Sequence, residues 1–112
     1  MKHDAKAYLY DIREAGERIR EFTKGMSVED YCGNELVKAA VERKFAIIGE
    51  ALARLREDYP EVLNRIPDAQ KIIGFRNVLV HGYDIIEDAT VWSAIEDNLP
   101  ALLEEVGILL NA

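Results

Sequence analysis

Lysine and arginine are missing from the last quarter of this 112-residue chain. Positions 84–112 hold seven acidic side chains and no basic one. Residues 1–25 carry six basic and five acidic groups, and residues 26–83 carry eight and nine, so the net charge of −7 belongs almost wholly to that final segment. A body this close to neutral does not attract nucleic acid indiscriminately, because that attraction comes from Lys and Arg neutralising phosphates. Contact with nucleic acid therefore requires a local basic pocket. The acidic segment would suit a basic protein partner equally well. Cysteine is nearly absent: Cys32 stands alone, which excludes an internal disulfide and leads us to expect a cytoplasmic setting. No apolar run approaches the roughly 20 residues of a membrane span, so no membrane partner is expected. The N-terminal stretch MKHDAKAYLYDIREAG is charged throughout and lacks the apolar core of a signal peptide. There is no P-loop, no GxSxG and no metal-ligand spacing of His, Cys or carboxylates. His3 reads as solvated, and Cys32, with no activating base nearby, reads as a small core residue.

Linkers, repeats and low-complexity runs are also missing, so we expect a single domain over residues 1–112. A chain of this length buries roughly two-thirds of its unfolded surface, enough for a core. What is present is helical periodicity. Tyr8, Ile12, Ala15, Ile19 and Phe22 recur at three and four over Asp4–Lys24, with Gly25 as a stop. Ser27 and Asp30 have capping-box spacing and open a second helix that runs toward Asp58, weakened at Gly33 and Gly49. Pro60 and Pro67 mark a connector. Asp68 suits the cap of a helix from Ala69 to His81, which Gly82 can end. Asp88 suits the cap of the next, and Pro100 either kinks that helix or starts a last one. The expected fold class is all-α: an up-and-down bundle of four to five helices.

One stretch does not read as plain core. RNVLVHGY, residues 76–83, sets Arg76, Asn77, His81 and Tyr83 among aliphatics. On a helical wheel Ile72, Phe75, Val78 and Leu79 share the arc expected to face the core. Asn77 and His81, four apart, are neighbours on another face. Ile73 and Val80 lie between the directions of Arg76 and His81, a second apolar strip flanked by polar groups. Such a strip suits a cleft or a symmetric partner. The spacing alone also fits an ordinary helix end, where a histidine is favoured by the helix dipole.

The motif R-N-x-x-x-H-x-Y resembles the R-x4-6-H motif of the HEPN superfamily, in the form found in HepT-like toxins. VERKFAIIGEAL (41–52), IPDAQKIIGFRNVLVHGYDIIEDATVW (66–92) and YLYDIREAGERIREFTKG (8–25) resemble further blocks of that family, so the likeness spans nearly the whole chain. Gln70 departs from the pattern, standing where many relatives have Trp. The resemblance implies a HEPN-like bundle and a homodimer acting as a ribonuclease on RNA, the toxin half of a toxin–antitoxin pair. It implies that cleavage needs no metal or other cofactor. It also implies an antitoxin partner, a MntA-like nucleotidyltransferase that uses ATP and Mg²⁺ to place AMP on Tyr83. By this likeness Arg76 and His81 are the expected catalytic residues, with Asn77 in support. A guanidinium can fork onto two phosphate oxygens, and an imidazole moves protons near neutral pH. The one plausible catalytic imidazole of each chain, His81, supplies either an acid or a base, so two copies facing across a two-fold axis would supply both. The same residues also fit a non-catalytic subunit that docks a nucleotidyltransferase and contributes to a nucleotide pocket.

Overall fold

Residues 35–58 carry the longest periodic apolar stretch, and they become the spine of the molecule. The computed structural model describes residues 4–81 and 86–112, His81 by its backbone alone. In it α3 (Glu35–Asp58) has 24 residues. At about 1.5 Å per residue it is about 36 Å long, close to the 40 Å longest dimension of the molecule. Along it lie α1 (Ala5–Thr23) and α5 (Ala69–His81). A continuous rod of α6 (Asp88–Ser93), a π-helical turn (Ala94–Asn98) and α7 (Leu99–Leu110) follows, and its α7 part closes against α1. Two short helices, α2 (Val28–Cys32) and α4 (Pro60–Leu63), sit in the connectors. No strand occurs among the described residues, so the all-α expectation holds. The core is shared by all the long helices: Ile12, Ile19, Phe45, Ile48, Leu52, Ile72, Leu99 and Leu102 are fully buried. Among the described residues no helix is long and apolar enough to cross a membrane.

The helix ends follow local chemistry. Asp4 caps α1 by accepting the Lys6 N–H at 3.1 Å, and Gly25 takes the left-handed backbone, φ 77°, that ends it. Ser27 and Asp30 close both bonds of the expected capping box. The second helix breaks at Gly33 because Asn34 caps a new one, its Oδ1 accepting from Val37 N–H at 3.0 Å. Asp68 opens α5 by accepting the Ile72 N–H on its carbonyl, while its carboxylate accepts from Asn98 Nδ2 at 2.8 Å. Pro100 starts α7 rather than kinking it. Proline has no N–H to give the previous turn, and the chain widens to π spacing just before it, with the Leu99 N–H reaching Ala94 O.

Two expectations need correction. Asp88 does not cap α6. Glu87 holds the cap position without a side-chain bond, and Asp88 lies inside the first turn, where Oδ2 accepts from Lys38 Nζ at 3.2 Å. That ion pair ties α6 to α3. Cys32 is exposed rather than part of the core, because α2 turns Tyr31 inward and its neighbour outward. His3 lies outside the described residues.

Tyr31 anchors the contact of α2 with α6. Its ring meets Trp92 at 5.5 Å, tilted 41°, and its hydroxyl is buried without a hydrogen-bond partner among the described residues. Burial first, then the carboxylates of Glu42 and Asp88, raises the phenol well above its ordinary range. Glu42 is raised for the same reasons, burial first and Asp88 second, with Lys38 opposing. A carboxyl that holds its proton more tightly when folded stabilises the fold fully below its ordinary value of 4.5 and loses that contribution as pH rises above it. Glu42→Gln removes this titration. In urea melts its stability advantage over the parent should grow between about pH 4 and about pH 7; a difference independent of pH would contradict the account.

Candidate active site

The site begins with a residue that has no side chain. A Cβ built on Gly49 of α3 would lie 2.2 Å from Arg76 Cβ, 2.7 Å from Arg76 Cγ and 3.2 Å from Ile72 O. Helices α3 and α5 therefore meet at a distance only glycine permits. The aromatic pair Phe45–Phe75, centroids 5.2 Å apart and nearly edge-on, adds a second contact between the same helices.

This approach turns α5 away from the orientation read from its sequence. Ile72 and Ile73 are buried, Phe75 and Leu79 are partly buried, and Val78 and Val80 are 43% and 49% exposed. Val78 is thus not on the core arc, and Ile73 belongs to the core rather than to a second strip. The buried arc is rotated by about 70° toward Arg76 at 100° per residue. Gly49 is the cause: α5 lays the stem of Arg76, not Val78, against the spine. Gly74 and Asn77 face outward, with exposed Val78 and Val80 to either side.

Arg76 is held from several directions. Its side chain is 21% exposed, and Nη2 donates to Glu50 Oε2 at 2.6 Å. Nη1 donates to Asn77 Oδ1 at 2.9 Å. Nε is buried and without a partner among the described residues. Glu50 in turn accepts from Arg54 Nε at 3.2 Å, and Arg54 Nη1 lies 3.6 Å from Glu57. These groups line an open groove of about 760 Å³ whose walls include Tyr8, Arg43, Ala46 and Val80. Three guanidiniums face it, from Arg43, Arg54 and Arg76, and so do the carboxylates of Asp11, Glu50, Glu57 and Asp58. With three guanidiniums against four carboxylates the groove is not basic overall, and what it offers an anion is the fixed guanidinium of Arg76.

Of the residues singled out in the sequence, Arg76 and Asn77 are brought into direct contact. His81 closes α5 one residue after the groove-lining Val80. Tyr83 lies outside the described residues. The sequence reading gave no role to Glu50 or Arg43. The signal for Glu50 was present: a glycine inside a long helix marks a close approach by another backbone, and Glu50 is the polar residue beside it. Among the described residues no group of His, Cys, Asp and Glu has the arrangement of a metal site.

The fold and this motif helix define a class: an all-α bundle whose fifth helix presents an arginine to a groove, holds it with the next residue, an asparagine, and ends on a histidine. Residues 12–108 match the family described as HepT-like, Ribonuclease HepT-like, and the chain belongs to that family. A Methanocaldococcus jannaschii protein named "Putative RNase MJ1380" is 34% identical over 108 residues, 96% of this chain and 98% of the relative. "Probable ribonuclease HepT" of Thermococcus cleftensis is 33% identical over 102 residues, 91% of this chain and 92% of the relative. No solved structure matches the chain. The family expected from the sequence is thus the one found.

Gly49 gives a direct test of the geometry. Glycine-to-alanine in a helix interior gains up to about 1 kcal/mol of propensity. At Gly16 the added methyl would meet side-chain atoms of Leu103 and no backbone, Cδ2 at 2.5 Å and Cγ at 3.1 Å, so Gly16→Ala should stay within about 1 kcal/mol of the parent. At Gly49 the obstacle is Arg76 Cβ, which moves only with its helix. Gly49→Ala should therefore destabilise by about 1–3 kcal/mol in chemical denaturation. Equal stability of the two variants would contradict the close approach.

Proposed function

We propose that this protein is a metal-independent endoribonuclease and the toxin of a toxin–antitoxin pair. The single observation that carries the reading is the Arg76 guanidinium, fixed in an open groove beside the C-terminal turn of α5, in a chain of the HepT-like family. The names of the relatives, which describe RNases, support it.

In this mechanism a ribose 2′-OH attacks the adjacent phosphorus, and the bond to the 5′ oxygen breaks. One imidazole takes the hydroxyl proton and a second returns a proton to the leaving oxygen. Arg76 neutralises the charge that builds on the non-bridging oxygens. Asn77 supports the site by holding the guanidinium. Imidazole suits both proton transfers because its ordinary titration falls within roughly pH 5–8. Each chain brings one His81, so two copies pair, with their motif helices facing each other. The outward arc of α5, with Gly74 and Asn77 between exposed Val78 and Val80, supports that pairing. Cleavage uses no cofactor. The antitoxin is a MntA-like nucleotidyltransferase that binds ATP and Mg²⁺ and transfers AMP to Tyr83: the phenol oxygen gives up its proton and bonds to the α-phosphorus as pyrophosphate leaves. The added phosphate places an anion where RNA phosphate would bind.

Purified protein should degrade RNA in the presence of chelator. Arg76→Ala and His81→Ala should each lower the rate by about 100-fold or more, the usual scale for losing a proton-transfer group or a charge-stabilising donor. Cleavage surviving His81→Ala at the parental rate sinks the mechanism. Intact-mass analysis after coexpression with the antitoxin should show added AMP that Tyr83→Phe abolishes. Full neutralisation of a chain with unmodified Tyr83 refutes the switch.

A further inference from the structure

The contact between Glu50 and Arg76 has little to offer stability. Glu50 is 42% exposed and Arg76 21%, and a pair still reached by solvent on one side contributes only modestly to folding. Helices α3 and α5 are already joined by the Gly49 approach, by Ile72 and by the Phe45–Phe75 pair. The bond is nonetheless the shortest ion pair among those described, at 2.6 Å. What it fixes is direction. The Arg76 stem lies over Gly49, its Nε is buried, Nη1 is held by Asn77 and Nη2 by Glu50. Acceptors on both terminal nitrogens remove the last rotation of the guanidinium plane. Glu50 is itself held from the next turn by Arg54, which leans on Glu57. Each η nitrogen carries two hydrogens and spends one on these acceptors, which leaves one on each.

Resting on the ribonuclease reading, we propose that Glu50 is a positioning residue: it aims the Arg76 guanidinium so that its two unspent η hydrogens meet the non-bridging oxygens of the scissile phosphate. Glu50 acts here as a hydrogen-bond acceptor and not through its charge. A carboxylate close to a phosphodiester repels it, so the charge itself works against RNA binding. The oxygen that accepts from Nη2 is the useful part, and a glutamine at the same place keeps it.

The test is cleavage of a short RNA by full-length protein carrying Glu50→Ala, Glu50→Gln or Arg76→Ala, with kcat and KM separated and thermal melting recorded. Glu50→Ala should lower kcat by about 10–100-fold, the scale of a misdirected catalytic group, with KM unchanged or lower and a melting midpoint close to the parent. Glu50→Gln should restore kcat to within about three-fold of the parent, because the acceptor returns without the charge. Equal loss in both Glu50 variants assigns the effect to charge and overturns the proposal, as does parental kcat in Glu50→Ala. A large fall in the melting midpoint of Glu50→Ala makes the pair a structural tie and overturns it too. Parental cleavage by Arg76→Ala would instead bring down the ribonuclease reading itself, so the two failures are told apart.

Discussion

The missing side chain at Gly49 sets the distance between α3 and α5, and the rest of the site depends on that distance. A glycine in the middle of a 24-residue helix costs about 1 kcal/mol of propensity. In return the spine accepts the backbone of α5 and the aliphatic stem of an arginine at van der Waals range. The stem of Arg76 behaves as core while its head stays polar, the usual division of a long cationic side chain. Once the stem is seated, the head reaches Glu50, Asn77 faces outward beside it, and Val80 lines the groove. A wider helix spacing would let the guanidinium swing and would leave Glu50 with Arg54 alone.

Around this contact the connectors are held by single polar ties. Lys38–Asp88 joins α3 to α6, Arg65–Glu105 joins the loop after α4 to α7, and Arg56–Gln70 joins α3 to the start of α5. Ties that solvent still reaches contribute about 0–1 kcal/mol each, so they select the placement of short segments more than they hold the bundle together. Gln70 shows how such a tie works. Its amide oxygen takes an arginine bond on the exposed surface, and the helix start is fixed by a polar contact.

Much of this was legible from the chain. The capping box at Ser27–Asp30, the stop at Gly25 and the apolar rhythm of α1 are local features, and local rules place them. The family was legible because Arg76, Asn77, His81 and Tyr83 stand together in one short stretch with further family-like blocks on both sides. The facing of α5 was not. Its wheel offers two nearly equivalent apolar arcs, and the choice between them was made by a glycine 27 positions earlier. The role of Asp88 was hidden for a similar reason: an acidic residue at a helix start suits a cap and a first turn alike, and Lys38 on another helix decided the matter. The π-helical turn before Pro100 follows from proline chemistry, yet nothing in the preceding residues chooses a widened turn over a kink. Glu50 was visible as part of a family block but silent as chemistry, because its partner lies 26 residues away.

The one-sided charge of the chain acquires a spatial meaning in the folded molecule. Glu87, Glu96, Asp97 and Glu104 stand exposed along the rod of α6 and α7, with no lysine or arginine of their own segment among them. Uncompensated carboxylates there repel other anions, whereas on α3 and α5 each sign of charge stands beside the other.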